Sequence, residues 1–444
     1  MTELPRRAVA RTARLAALPL GYAGRTAMGM GRRIGGAPAE TVLTEVQQRT
    51  AEQLFKTLGE LKGGAMKMGQ ALSILESVLP EEVAAPYREQ LTRLQDSAPP
   101  MSASTVRSVL NSELGRHWRE DLVEFDEDPA AAASIGQVHR GRWKDGREVA
   151  VKLQYPGAGE ALMADLRQLA RVARTFGSML PGIDVKPLIA EMQARVAEEL
   201  DYELEAEAQA AFATQFAGDP EVRVPDVVAH TKKVLVSEWV ESHSSLARLI
   251  AEGTQEQRNH YGEQYIRFLF AGPARVGMLH ADPHPGNFRV LPTPDGSLGG
   301  LGIVDFGAVA RLSERSLPHS IGSLLRIASY DDYDDVLEGL RDEGFVKPNI
   351  RVDPDELREY LSPFVEPART ETFAFSREWM RAQFQRLQDP RQPGSTLVLR
   401  LNLPPSYLLI HRVWVGSIGV LSQLEAELPF RAILEESLPG FAEA

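Results

Sequence analysis

The chain of 444 residues contains no cysteine. That absence excludes a disulfide framework, a thiolate metal site and a cysteine nucleophile, and it fits a reducing, cytosolic compartment. Long apolar runs are also missing. The best candidate for a membrane span, YLLIHRVWVGSIGVL near the C-terminus, carries His411 and Arg412 in its middle, so no spanning helix is expected. Near the N-terminus, LAALPLGYAG is short, broken by Pro19 and flanked by Arg on both sides, unlike a secretory signal. A basic body is lacking too: the net charge of −12 argues against nucleic acid, whose phosphates need a positive face. No internal repeat or low-complexity tract stands out. What remains, 43% hydrophobic and 25% charged residues, is the composition of an ordinary globular chain with one large or two to three modest domains.

Charge is spread unevenly. Residues 1–36 hold seven arginines (6, 7, 11, 14, 25, 32 and 33) against Glu3, a net of about +6, which leaves the rest of the chain near −18. A basic arm with Leu, Ala and Met on an acidic body suits an anionic membrane surface, while a plain solvated tail would have the same composition.

Between Glu40 and Leu79, apolar positions recur at helical spacing and predict one or two amphipathic helices. They are interrupted by LKGGAMKMGQ, where three glycines each weaken a helix by about 1 kcal/mol relative to alanine. The stretch PEEVAAPYREQLTRLQDS adds a helix that Pro99 and Pro100 end. From Phe125 to Tyr155 the pattern becomes strand-like. GQVHRGRW and EVAVKLQY read as a hairpin, with Asp145 and Gly146 supplying the positive φ of its turn. Alternation puts Ala150 and Lys152 on one face, and Val149, Val151 and Leu153 on the other. Residues 157–213 read as charged helix, KKVLVSEWV as a strand, and the next segment as a long helix through about Ala271. A second hairpin runs from NFRVL to GLGIVDFG, and only helices are expected from Leu312 onward.

HADPHPGNF, residues 280–288, is too rich in proline to be helix or central strand and must be a rigid polar loop. Its two histidines sit four apart, but Pro283 and Pro285 forbid the helix that would bring them onto one zinc ion. His280 is therefore expected to brace the loop. Phosphoryl transfer asks little covalent chemistry of a protein. It needs a cation on the phosphates, oxygen ligands for Mg²⁺ and a carboxylate near the attacking oxygen. These parts occur here in the chain order of a kinase. VAVK places Lys152 on a strand beside the small Ala150, which leaves room for adenine. Asp282 and Asn287 keep the Asp-x-x-x-x-Asn spacing of a catalytic loop, and VDFG places Asp305 at a strand end as a hard oxygen donor. Each motif alone recurs by chance, but all of them in order do not. Order also places Glu238, Trp239 and Val240 as the hinge whose backbone meets adenine. The turn through Ala131, Ala132, Ala133, Ser134, Ile135, Gly136, Gln137 and Val138 is the candidate phosphate loop, where Ser134 and Gln137 reach phosphates through side chain or backbone unless they only build a tight turn. Glu199, Asp201 and Glu205 fall within about two helical turns, with Asp201 and Glu205 as i, i+4 neighbours; a solvated acidic face is the plainer reading of such a run.

Over roughly residues 40–430 the chain resembles the UbiB-like atypical kinases (the ABC-one/AarF/ADCK group). AAAASIGQ has alanine where protein kinases have glycine, KMGQ at 67–70 matches that group's Lys-x-Gly-Gln motif, and ELDYELE at 199–205 matches its Glu-x-Asp segment. The resemblance implies an α+β, bilobal kinase-like fold with a helical N-terminal extension over the active site and a helical C-terminal region. It places a basic arm at 1–36, the extension at 37–115, an N-lobe at 116–240 and a C-lobe at 241–444. It implies further that Lys67 and Gln70 point into the site, that Glu205 pairs with Lys152, and that Glu199 and Asp201 engage the extension around Lys67.

ATP and Mg²⁺ are the expected ligands, with Lys152 on phosphates, Asn287 and Asp305 on the metal, and Asp282 near the nucleophile. A lipid or quinone-type partner, and a place on the inner face of a membrane, follow only from the resemblance. Two other readings remain: an antibiotic-type small-molecule phosphotransferase, which has no counterpart of KMGQ, and a nucleotide-gated binding module without turnover, against which the intact Lys152, Asp282, Asn287 and Asp305 count.

Overall fold

The computed structural model describes residues 100–442 apart from 134, 161–162, 165–166, 168–183, 294–295, 313–315, 390–391, 393, 395–396 and 398–399. The basic arm and the KMGQ segment lie outside the described residues.

Helix α1 (Ala103–Glu113) begins where the Ser102 hydroxyl accepts from the Thr105 N–H at 3.3 Å. It turns Val106 and Leu110 inward. The short α2 (Trp118–Asp121) leads into β1 (Leu122–Phe125), β2 (Ala131–Ala133), β3 (Gly136–Trp143) and β4 (Glu148–Gln154). The expected hairpin is β3–β4, paired from Gly136–Gln154 to Arg142–Glu148. Only Gly146 has positive φ in its turn, at +92°. Asp145 instead accepts from the Arg147 N–H with its carboxylate at 3.1 Å, so the turn needs one left-handed residue rather than two. The alternation holds: Val149, Val151 and Leu153 are fully buried against Val106, Leu110 and Trp118. Each such aliphatic side chain contributes about 1.5–3 kcal/mol on burial. Residues 103–113 thus share one core with the sheet that follows them.

Helices α3 (Val185–Glu199) and α4 (Tyr202–Gln215) come next, then β5 (Val222–Arg223), β6 (Val227–His230) and β7 (Val234–Glu238). The first sheet has the order β1-β3-β4-β7-β6, with β2 on β3, and every pairing is antiparallel. The acidic stretch at 199–205 is not one continuous helix. It breaks at Leu200, and Asp201 caps α4 by accepting from the Glu203 N–H at 3.0 Å.

After Glu238 the chain crosses to a second body: β8 (Ser244–Ser245), α5 (Leu246–Glu252), α6 (Gln255–Val276), β9 (Met278–His280), β10 (Phe288–Val290), β11 (Leu301–Ile303) and β12 (Val309–Arg311). Helix α6 starts on a capping box between Thr254 and Gln257 and ends at Gly277, which takes a left-handed φ of 77°. The expected second hairpin is β10–β11. Then follow α7 (His319–Ser329), α8 (Tyr333–Asp342), α9 (Pro354–Val365), β13 (Phe373–Ala374), α10 (Arg377–Gln388), α11 (Leu408–Leu424), β14 (Glu427–Leu428) and α12 (Phe430–Ser437). The all-helical expectation past Leu312 is thus corrected by one small ladder, in which β13 pairs with β14.

The apolar run around His411 is α11, and its Val413, Ile418, Val420, Leu421 and Leu424 belong to the core of this second body. Gly262 on α6 lets it close in, because a Cβ there would come within 3.1 Å of the Ala426 Cβ and 3.4 Å of Leu421. Among the described residues no helix is long and apolar enough to cross a membrane.

Candidate active site

Lys152 sits on β4 with its side chain toward α4. Its Nζ donates to Glu205 Oε1 at 2.6 Å and to Asp305 Oδ2 at 3.3 Å. Capping by Asp201 fixes the start of α4, so Glu205, one turn on, meets the strand. The Lys152 and Glu205 side chains are 13% and 2% exposed, and the Tyr202 ring lies 5.1 Å from the ammonium. Burial by itself would pull the Lys152 pKa down, but the charges of Asp305 and Glu205 outweigh it and hold the pKa above the ordinary lysine value. Burial raises the Glu205 pKa, with Lys152 opposing it. Two carboxylates around one ammonium leave an excess negative charge, a setting that favours a bound cation.

The HADPHPGNF loop hangs between two short ladders. Pairing of β9 with β12 sets His280 opposite Val309, and β10–β11 sets Phe288 opposite Ile303. The Val304 N–H donates to the Asn287 carbonyl at 3.1 Å, so Asn287 and Asp305 leave adjacent strand ends together. Residues Pro285–Asn287 form a single 3₁₀ turn, in which His284 Nδ1 accepts from the Gly286 N–H at 3.2 Å. The buried Tyr265 hydroxyl donates to the Pro283 carbonyl at 2.8 Å. His280, 1% exposed among Phe268, Phe288 and Phe306, donates from Nε2 to the Asp305 carbonyl at 2.6 Å. It braces the loop as expected, and burial lowers its pKa. Asp282 is held from two sides: Asn287 Nδ2 donates to Oδ2 at 2.9 Å, and an Arg412 guanidinium N–H donates to Oδ1 at 2.9 Å. Asp305 Oδ1 accepts from the Gly307 N–H at 2.9 Å.

Lys152, Glu205, Asp282, Asn287 and Asp305 are therefore brought together. Other expected residues are placed differently. Asp201 serves as a helix cap rather than as the i, i+4 partner of Glu205. Glu199, at the end of α3, backs onto Asp-Phe-Gly, its Cγ 3.6 Å from where a Cβ on Gly307 would sit. Gln137 is 1% exposed and points to the α1 side of the sheet. Its Oε1 accepts from the Met101 N–H at 2.8 Å and its Nε2 lies 2.7 Å from His139 Nε2, so its side chain is turned away from Lys152. Its register partner Leu153 shares that face, so the alternation read for β4, extended one strand, would have placed it.

Ile135 is not loop surface either. It is 3% exposed, packed with Tyr202, Ala206 and Leu235, and its carbonyl accepts from the Tyr155 N–H at 2.9 Å. Ala131, Ala132 and Ala133 pair with Val138, Gln137 and Gly136, which makes the candidate phosphate loop a tight β2–β3 hairpin. Val138 and Ala150 do share the Lys152 face, Val138 lying directly opposite Lys152. In the hinge stretch, the N–H groups of Glu238 and Trp239 are already given to Asp226 and Glu148 carbonyls at 2.9 and 2.8 Å. The Glu238 side chain faces Arg147 and Arg223, the Trp239 ring faces Arg140, and Val240 packs on Gly302. Lys67, Gln70 and Ser134 lie outside the described residues.

Arg412 was missed as a site residue, although its signal was present: a guanidinium inside an otherwise apolar helix needs a partner. That partner, Asp282, lies 130 positions away in the chain. The residues present fit Mg²⁺ in kind. Asp305 and Asn287 offer a carboxylate and an amide oxygen side by side. Among the described residues no group of three or more His, Cys, Asp or Glu could hold a metal ion.

A strand lysine paired to a helix glutamate, a loop with Asp and Asn five apart, and Asp-Phe-Gly at the next strand end, set between a sheet-rich and a helix-rich lobe, define a protein-kinase-like phosphotransferase fold. Comparison with known proteins places it more closely. Residues 93–338 match the ABC1 atypical kinase-like domain, and the chain belongs to that family, within the UbiB-like atypical kinases. It is 32% identical to atypical kinase COQ8B, mitochondrial, of Rattus norvegicus over 67% of this chain and 55% of that one, and 29% identical to ACTIVITY OF BC1 COMPLEX KINASE 3, chloroplastic, of Arabidopsis thaliana over 93% and 56%. The chain thus spans about half the length of these curated relatives. A solved structure, the complex of Rv3197 with erythromycin from Mycobacterium tuberculosis, is similar with a TM-score of 0.67 and 42% identity, covering 92% of this chain and all of that one.

Proposed function

We propose that this chain binds ATP and Mg²⁺ and transfers the γ-phosphoryl group to water or to a small-molecule hydroxyl, in support of isoprenoid-lipid or quinone metabolism at a membrane surface. The observation that carries the reading is Lys152 held between Glu205 and Asp305 at 2.6 and 3.3 Å, beside an Asp282–Asn287 pair at 2.9 Å. Lys152 would hold the phosphates, with Glu205 fixing its position. Asn287 and Asp305 would hold Mg²⁺, which when bound neutralises phosphate charge. Asp282, aimed by Asn287 and Arg412, orients the attacking O–H and takes its proton as the new P–O bond forms and ADP leaves. Lys67 and Gln70 of the N-terminal extension are assigned to the same site by the family motif. The quinone link rests on the family resemblance, and a peripheral place on the inner membrane face rests on the basic arm.

The test is Mg²⁺-dependent nucleotide binding and ATP hydrolysis, with and without anionic liposomes and phenolic lipids. Asp305→Asn is expected to abolish the Mg²⁺ dependence, and unchanged binding would remove the metal assignment. Absence of hydrolysis under all conditions would leave a nucleotide-gated binding module. The erythromycin complex of a 42% identical structure favours one second reading, a macrolide as ligand or phosphoryl acceptor. Mass spectrometry of erythromycin incubated with the protein and ATP decides it, since transfer adds one phosphoryl group to the drug.

A further inference from the structure

Strand β10 sends alternate residues to opposite sides of its sheet. Phe288 and Val290 enter the core of the second body, as do Leu301 and Ile303 on the neighbouring β11. Arg289 and its register partner Gly302 are left on the other face. There a Cβ on Gly302 would lie 2.7 Å from Val240 Cγ1 and 3.6 Å from Arg289 Cβ, so the hinge valine and the arginine stem meet over one glycine. Arg289 is half-buried, and among the described residues its guanidinium has no ion pair and no hydrogen bond. Burial lowers its pKa, and no carboxylate opposes the shift. Other arginines near the hinge are matched: Arg140 to Glu148 and Glu241, Arg147 to Asp145 and Glu238, Arg223 to Glu238. A cation that has shed water without gaining a counter-charge is unfavourable in the free protein and calls for a partner.

The surroundings select that partner. The hinge stretch touches both lobes: the Trp239 N–H donates to the Glu148 carbonyl on β4 at 2.8 Å, and Val240 rests on Gly302. Two residues along β4 from Glu148, Ala150 shares the Lys152 face. A flat group held at the hinge therefore has Ala150 on one side and Arg289 on the other. Phosphate fits this position less well, because Lys152, Asn287 and Asp305 gather at the far end, Asn287 lying about 7 Å back along the strand from Arg289. We propose that Arg289 is a nucleotide-binding residue whose guanidinium lies flat against the base, on the face turned away from Ala150. The inference rests on the nucleotide reading given above and adds to it the group that meets the base. A guanidinium is planar and weakly hydrated, and the negative face of an aromatic ring returns the electrostatic energy that burial took from it.

The experiment titrates the full chain, unaltered and with Arg289→Met or Arg289→Lys, by calorimetry with adenosine, Mg²⁺-ADP and Mg²⁺-tripolyphosphate. Arg289→Met keeps the length of the stem without the charge. It is expected to weaken adenosine and ADP by the same factor, about three- to tenfold, and to leave tripolyphosphate unchanged. Its melting temperature without ligand is expected to stay level or rise, because an unpaired cation has been removed. Arg289→Lys, which keeps the charge and loses the plane, is expected to fall between the two. Equal adenosine affinity in the unaltered chain and Arg289→Met would overturn the inference. So would a loss confined to ADP and tripolyphosphate, which would put the guanidinium on phosphate, or a melting temperature that falls together with adenosine affinity, which would mark a structural arginine. Absence of adenosine and ADP binding by the unaltered chain would instead remove the nucleotide reading itself, and this inference with it.

Discussion

His139 sits in a closed hydrogen-bond relay. Its Nδ1 donates to the Asp126 carbonyl at 2.8 Å, its Nε2 accepts from Gln137, and Gln137 Oε1 accepts from the Met101 N–H, while Phe125 stacks on the ring at 4.8 Å. This arrangement accommodates only the neutral tautomer, since a proton on Nε2 would face the amide NH₂ of Gln137. Burial accordingly lowers its pKa below the ordinary 6.5, with Asp126 opposing the shift. A depressed histidine pKa means that the unfolded chain binds the extra proton first. The stability it contributes is present above about pH 6.5 and is lost as pH falls below it. The melting temperature should fall between about pH 7.5 and pH 5.5, and fall less in His139→Leu, which starts lower. Lys152 poses the opposite problem. Lys152→Met leaves Glu205 and Asp305 unbalanced in a buried place and should cost about 3 kcal/mol, partly recovered by adding Glu205→Gln; denaturant midpoints of the four proteins in the cycle measure it. Lys152, Asp282, Asn287 and Asp305 were readable because spacing and order define them within short segments. Arg412 stood out locally as a charge in an apolar run, but its partner 130 residues away did not, and the contact of Tyr265 with a residue 18 positions on has no local pattern at all.

At the scale of elements, the β3–β4 hairpin was readable because period-2 alternation and Gly146 agree. The β2–β3 segment was read only as a turn, because its alanines carry no alternation; the structure adds the pairing of Ala131–Ala133 with Gly136–Val138 and the burial of Ile135. Gly136 decides its geometry: a Cβ there would lie 2.0 Å from the Leu153 carbonyl oxygen. Gly136→Ala must therefore push two strands apart and should cost at least about 2 kcal/mol, as read by chemical unfolding, with loss of register beside Lys152. Gly146→Ala meets no neighbour and suffers only its φ of +92°, so a smaller loss of about 1 kcal/mol is expected. The break at Leu200 was likewise hidden, because Asp201 satisfies a helical i, i+4 pattern and a cap equally well. Its capping role appears only when the backbone turns.

For the whole molecule, two lobes were foreseen from the family resemblance, and the acidic body against a basic arm from charge counting. Deleting residues 1–36 should weaken flotation with anionic liposomes, and the intact protein should lose binding as salt rises; indifference to both would return the arm to a plain tail.

Helix α11 bears on where the working unit ends. The matched family domain stops at residue 338, yet Asp282 takes a contact from Arg412, and the same helix fills the core of the second lobe. A fragment cut after residue 338 would keep every recognisable motif and still lack the contact on Asp282 and the floor beneath its loop. It should emerge insoluble or inactive, whereas the full chain with Arg412→Ala should fold, bind nucleotide and turn over more slowly. Domain borders drawn by likeness and those drawn by mechanical support do not coincide in this chain.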